Sequence, residues 1–388
     1  MDKKKTKKKN GAFKNTLAGI GIGLVLGFVI GFILVAEPGV TDPASDEGSM
    51  NFFLRFGVAM LFFYTGYIFQ ILLHEGGHLI AGLMSGYKFM SYRVFNVIFY
   101  NADGRIQRKR FSIPGTAGQC LMIPPEPVDG SFPYLLYNLG GVIVNLLTGC
   151  LFLVLYIVLP AMHHTPATLL LVFAAAGILT GLMNLIPFKM GGVANDGYNI
   201  RVLSKRKEAR NAFRIMLLAG ANLLAGVRFK DMTAEFAEEP VDINDPISAS
   251  IAIYHYNYLN DIHDFENARL FAERMLNETD NMLDLQKNAL RCELLYYELI
   301  GERREEEIER LYTKELKKFI KAAGSLLSVQ RLLYAIAKLV DFNETEAEKI
   351  LAKFNKGCAV YPHAGEVENE REMIEYIDKA AEALGKVS

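Results

Sequence analysis

Residues 71–82 read ILLHEGGHLIAG, two histidines and a glutamate inside a run that is otherwise aliphatic side chains and glycine. His74 and His78 are four positions apart, so on a helix they share a face and their imidazoles can reach one metal ion. Glu75 sits one step round, close enough to take a proton from a water there. This is the HExxH pattern. Ionisable groups in an apolar span are costly unless they line a cavity, pair with one another or hold a metal. Two histidines and a glutamate that merely satisfy one another in hydrocarbon would be the more expensive arrangement. The expectation is a zinc ion (Zn2+) held by His74 and His78, with Glu75 as general base.

A catalytic zinc site takes three protein ligands and keeps one position open. Between Asp129 and Glu208 the chain has one acidic residue, Asp196, in NLIPFKMGGVANDGYNI. The remaining histidines fit badly. His163 and His164 fall in an expected external loop, and His255, His263 and His363 fall in an expected soluble region. Asp196 is therefore the expected third ligand, and the competing reading makes it a helix cap ahead of Gly197.

These residues need elements to place them. Four segments are apolar enough to span a bilayer, at about 15–36, 52–84, 133–160 and 167–190. The fold class expected is an all-α polytopic membrane protein: four transmembrane helices with a three-helix metalloprotease core, a small β-hairpin in the 87–130 loop, and a soluble helical C-terminal domain. The first fourteen residues, MDKKKTKKKNGAFK, hold seven lysines and one aspartate. Lysine-rich segments stay on the cytoplasmic side, and the loops that follow alternate accordingly: EPGVTDPASDEGSM is acidic, 85–132 is basic, and 201–210 is basic. Both termini are expected in the cytoplasm, in a multi-pass protein of a bacterial cell membrane. The 15–36 segment is long for a signal peptide and runs into Glu37-Pro38, so it reads as an uncleaved anchor.

Composition agrees with a chain of two unlike parts. Of 388 residues, 51% are hydrophobic, and the mean hydropathy of +0.17 lies between soluble and wholly embedded proteins. A net charge of -1 gives no reason to expect a nucleic-acid partner. Cys120, Cys150, Cys292 and Cys358 are far apart, which excludes a C-x-x-C thiolate site.

In the 87–130 loop, YRVFNVIFYNADGRIQRKRFSI alternates apolar and polar residues around Asn101 to Gly104, which predicts a hairpin at about 92–113. The following PGTAGQCLMIPPEP is too rich in glycine and proline to predict regular structure. Residues 204–228 predict an amphipathic helix lying on the membrane. From about 240 the charged and apolar residues alternate at helical spacing. Asp264-Phe265 and Asp341-Phe342 open similar helices, which suits either a helix-hairpin repeat or a generic bundle. Four regions follow: 1–51, a basic tail, anchor and external loop; 52–200, the metalloprotease core; 201–239, an amphipathic connector; and 240–388, a cytoplasmic helical domain.

The chain at this point resembles the site-2 protease family of intramembrane zinc metalloproteases, over about residues 52–200. The HExxH motif is matched by His74, Glu75 and His78. A glycine followed four on by an asparagine is matched by Gly141 and Asn145 in LGGVIVNLLTG. N-x-x-P followed by aspartate-glycine is matched by Asn184, Pro187, Asp196 and Gly197. The resemblance implies that Asp196 is the third ligand and that Asn145 is a catalytic residue lining the cleft, steadying the oxyanion. Read alone, Asn145 and Asn184 are equally interhelical hydrogen-bond glue. The chain departs from the family in the eight residues between Pro187 and Asp196, and in having no loop long enough for a PDZ domain.

The function expected is hydrolysis of peptide bonds in or near the transmembrane segments of single-span membrane proteins or signal-peptide remnants. The partners expected are that substrate, the lipid bilayer and a cytoplasmic protein bound by 240–388. The hairpin edge at 92–113 is the expected place for an unwound substrate to add as a strand. One rival is a non-catalytic membrane adaptor whose helical domain docks a partner, although such a protein has no use for Glu75. Another is the HExxH class that trims prenylated proteins, in which a glutamate on a later helix is the third ligand; no glutamate lies between Glu126 and Glu208.

Overall fold

The computed structural model describes residues 46–102, 104–110, 117–128, 131–159, 164–190, 193–232, 246–278, 282, 284–361 and 363–385. The lysine-rich start and the expected 15–36 span lie outside these residues. So do His163 and Gly191-Gly192.

Three described helices are long and apolar enough to cross a membrane. The first, α1, runs Asp46–Met84, and its apolar window begins at Phe56. After a small sheet come α2, Tyr134–Val158, and α3, His164–Leu185. Their windows have mean hydropathies of 1.8, 2.4 and 2.0. Large apolar side chains such as Leu61, Leu147 and Ile157 face outward, as helices that meet lipid require. Proline sets two of the ends. α2 stops just before Leu159-Pro160, and α3 stops two residues before Pro187, because the residue preceding a proline is driven out of the α region.

The sheet has four strands: β1 Lys88–Val94, β2 Val97–Ala102, β3 Arg105–Arg110 and β4 Gly118–Ile123, in the order β3-β2-β1-β4. The expected hairpin is β2–β3, which closes at Ala102↔Arg105 with Gly104 at a positive φ of 79°. Two further strands, β1 and then β4, extend the sheet on its β2 side. The GQCLMI segment, expected to be irregular, forms β4; its flanking glycines and prolines bound a strand that is itself free of both after Gly118.

Beyond α3 a two-stranded hairpin, β5 Lys189–Met190 with β6 Val193–Ala194, lies within the eight residues between Pro187 and Asp196. Then follow α4, Asp196–Lys205, and α5, Lys207–Leu224. α5 is amphipathic as expected, and its apolar face is buried within the protein. Ala221 and Leu224 are buried against Met90, Ile98 and Tyr100 of the sheet, and Gly220 lets Leu121 approach.

The rest is helical: α6 Pro246–Asp261, α7 Phe265–Glu278, α8 Asp284–Ile300, α9 Glu305–Leu311, α10 Lys314–Ala322, α11 Leu327–Leu339, α12 Glu344–Val360 and α13 Ala364–Gly385. Corners with positive φ occur at His263, Arg303 and Phe342, close to 40 residues apart. They follow α6, α8 and α11. The two similar helix starts seen in the sequence, at α7 and α12, thus belong to the first and last of three successive corners. The middle one carries neither of the Asp-Phe signals, which hid the period.

The chain divides into two compact units. One holds the chain up to Tyr87, Ala117–Cys120 and Pro133–Arg201, and so contains α1, α2, α3 and Asp196. The other holds Lys88–Thr116, Leu121–Phe132 and everything from Val202 onward.

Candidate metal centre

Within the first unit the helices approach more closely than ordinary side chains allow. A Cβ on Gly77 would lie 2.3 Å from the Gly140 carbonyl oxygen, and one on Gly140 would lie 2.3 Å from that of Gly77. Such glycine contacts let backbones of neighbouring spans touch. The consequence is local. With α1 and α2 this close, the His74 ring lies directly over Gly141, where a Cβ would sit 2.5 Å from its Cε1.

Each imidazole is then fixed from behind by a partner on α2. His74 Nδ1 lies 2.7 Å from Asn145 Oδ1, and His78 Nδ1 lies 2.7 Å from the Tyr137 carbonyl oxygen. Oxygens of this kind only accept, so in both rings Nδ1 carries a proton, and in the neutral ring Nε2 presents a lone pair. The Asn145 amide is itself oriented without ambiguity. Its Nδ2 donates to the Gln70 backbone carbonyl at 3.1 Å and to Gln70 Oε1 at 2.8 Å, which leaves Oδ1 for His74.

The carboxylate arrives from the other side. Asn195 Oδ1 accepts from Tyr198 N at 2.9 Å and from Phe188 N at 3.2 Å, while its Nδ2 donates to the Met183 and Ile186 carbonyls at 2.6 and 2.7 Å. One asparagine therefore caps α4 and closes the open end of α3. The competing reading made Asp196 the cap, but Asn195 does that work and leaves Asp196 free to point at the histidines. Gly197 follows because a Cβ there would lie 2.1 Å from the Leu185 carbonyl oxygen. Asn184 turns back on its own helix, donating to the Thr180 carbonyl at 3.1 Å.

Three acceptor atoms thus converge. His74 Nε2 is 3.2 Å from His78 Nε2, and Asp196 Oδ2 is 3.0 Å from the first and 3.5 Å from the second. Their side chains are 12%, 10% and 16% exposed. Asp196 Oδ2 is a buried atom whose near polar neighbours are these two imidazole nitrogens. Lone pairs held this close repel unless a cation sits among them. A proton can bridge only two of the three atoms, whereas a metal ion serves all of them. Ligands about 2.0–2.1 Å from a tetrahedral ion lie about 3.3 Å from one another, which matches this triangle. Among the described residues, His74, His78 and Asp196 form a group able to hold a metal ion.

No family model, curated protein or solved structure matches this chain. The site must be judged on its own atoms.

Glu75, the fourth expected residue, is buried and lies against β4, where a Cβ on Gly118 would sit 2.4 Å from its Oε1. Glycine at 118 makes room for that carboxylate. Asn145, read from the resemblance as a cleft-lining group, spends both ends of its amide on His74 and Gln70. The spacing of sequence motifs did not reveal Gln70, Tyr137 or Asn195. Tyr137 also stacks on Tyr87 with ring centroids 4.8 Å apart and donates its hydroxyl to the Cys120 carbonyl at 2.7 Å. The only sequence signals for these three were a glutamine inside an apolar span, a tyrosine at the start of another, and an asparagine just before Asp196-Gly197.

Proposed function

We propose that the chain is an intramembrane zinc metalloprotease of the site-2 protease type, which cuts peptide bonds within or near the transmembrane segments of single-span membrane proteins or signal-peptide remnants. One observation carries the reading: three lone-pair atoms, with both histidine tautomers set from behind, meet beside a buried glutamate in a unit of helices apolar enough to span a bilayer. Zinc is favoured over magnesium or calcium because two imidazoles and one carboxylate suit it, whereas the harder ions take oxygen ligands. In this reading the termini are cytoplasmic, residues 52–200 form the catalytic core, 201–239 the connector, and 240–388 a cytoplasmic domain that meets a protein partner.

His74 Nε2, His78 Nε2 and Asp196 would hold the ion. When bound, zinc supplies Lewis-acid chemistry, activating water and polarising the scissile carbonyl. The chain's own residues do the rest. Glu75 takes a proton from the attacking water on its carboxylate and hands it to the leaving amine. Asn145 Oδ1 holds the proton of His74 Nδ1 in place, so that Nε2 stays a ligand; it is a positioning residue, since no N–H of its amide is left for an oxyanion. The Tyr137 carbonyl does the same for His78.

A helical substrate must unwind before its peptide bond can be attacked, because its backbone groups are already paired. A strand edge can replace the lost hydrogen bonds. The edge best suited to this is β4, whose Gly118 lies against Glu75, in place of the outer strand of the expected hairpin. A proline at Cys120 should then abolish cleavage while zinc is retained, and unchanged cleavage would discard the strand-addition step. The proteolytic reading is tested by comparing membrane proteomes of cells that carry the wild-type chain or Glu75→Gln. Single-span proteins should accumulate uncut in the mutant alone; identical proteomes would sink the reading.

A further inference from the structure

The helical unit contains a cleft of about 290 Å³ between α6, α8 and α13. Among the described residues four carboxylates line it, from Asp261, Glu293, Glu366 and Glu370, and no lysine, arginine or histidine does. The cations that serve these acids stand outside the lining and are oversubscribed. Arg228 bonds both Asp261 and Glu372, at 2.6 and 2.5 Å. Arg331 bonds both Glu293 and Glu370, at 2.8 and 2.7 Å. Glu366 has His363 Nδ1 at 3.0 Å and the Tyr361 hydroxyl at 3.1 Å. Two guanidinium groups for four carboxylates leave the cluster negative. Burial holds the Glu370 carboxyl above its ordinary value; Arg331 draws it back and the neighbouring Glu293 opposes that.

A second feature points to a ligand. Asn260 lines the cleft, is 6% exposed, and has an Oδ1 with no hydrogen-bond partner, its Nδ2 being donated to the Tyr256 hydroxyl at 3.3 Å. Asn369, also in the lining, has an unpartnered Oδ1 as well. Buried acceptors are ordinarily paired, and these two lack an N–H donor. Ile253, Leu285 and Leu290 complete the wall with apolar surface. Carboxylates and orphan acceptors beside an apolar wall suit a side chain that lays a methylene stem on hydrocarbon and ends in an ammonium.

We propose that this cleft binds a lysine-bearing polypeptide segment, its ammonium seated among the carboxylates and its N–H groups donated to Asn260 and Asn369. The site is independent of the proteolytic reading. One source is the chain's own MDKKKTKKKNGAFK, with seven lysines. The other is a basic segment of a separate protein.

The experiment titrates a fluorescent peptide of residues 1–14 with detergent-solubilised chain, either full-length or beginning at residue 15, and reads anisotropy. The chain lacking residues 1–14 should bind the peptide. Glu366→Gln should weaken binding about fivefold and Asn369→Asp should tighten it by a similar factor. Opposite signs cannot both come from misfolding, and a thermal melt checks each variant. If the full-length chain binds the peptide at least about tenfold more weakly than the shortened one, its own tail fills the cleft; equal binding assigns the cleft to a separate protein's lysines. No binding to the shortened chain, equal binding of a peptide with glutamine in place of every lysine, or indifference to both substitutions would overturn the proposal.

Discussion

The two units solve the same problem, a buried carboxylate, in opposite ways. In the helical unit the chain supplies the counter-charge. Arg331, fully buried, bonds Glu293 and Glu370 and stacks on Tyr296 with 4.0 Å to the ring centroid. In the unit of apolar helices Asp196 meets two imidazole nitrogens that are themselves acceptors. Among the described residues no guanidinium or ammonium completes that group. Three acceptors assembled in apolar surroundings call for a cation from outside, whereas Glu293 and Glu370 already share one supplied by the fold.

Substitutions can sharpen that contrast. The largest expected effect is on catalysis. Glu75→Gln should retain zinc yet lower substrate turnover about 10²–10⁴-fold, the range for a general acid–base group, as followed by loss of an uncut membrane substrate in vivo. Next comes stability of the helical unit. Arg331→Met leaves two buried carboxylates unpaired and should cost about 3–5 kcal/mol, seen as a lowered melting temperature with zinc content unchanged. Adding Glu293→Gln and Glu370→Gln should recover much of it, because neutral amides do not need the guanidinium. Asn145→Leu removes the acceptor behind His74 and should weaken zinc about 10–100-fold in a chelator competition, with a loss of about 1–3 kcal/mol in the melt from the stranded Gln70 acceptors. The smallest effect is expected for Asn195→Ala, about 1 kcal/mol for a lost cap, together with easier zinc loss because the α3–α4 junction slackens.

How much of this was readable beforehand follows from the range of each interaction. His74, Glu75 and His78 are local, set by one helical turn, and so stand out in the sequence. Asp196 could be reached by elimination because so few acids lie in that part of the chain. The residues that orient the histidines could not: Tyr137 is 59 positions from His78, and Asn145 is 71 from His74. Whether a carbonyl or an amide ends up behind an imidazole depends on how closely Gly77 and Gly140 let two helices approach, a tertiary fact with no periodic signature. The hairpin at Asn101 to Gly104 was legible from turn chemistry, whereas β4 was masked by its glycine and proline flanks. The apolar face of α5 was visible too, but periodicity cannot tell a membrane surface from a sheet as its partner.

The central claim is that an external metal ion completes the triangle of His74, His78 and Asp196. The direct measurement is elemental analysis of purified full-length chain, wild type and Asp196→Ala, after growth with zinc. One zinc per wild-type chain, lost on Asp196→Ala and kept on Glu75→Gln, is the expected result. Metal-free wild-type protein, or an Asp196→Ala chain that holds zinc as tightly as the wild type, would contradict the account.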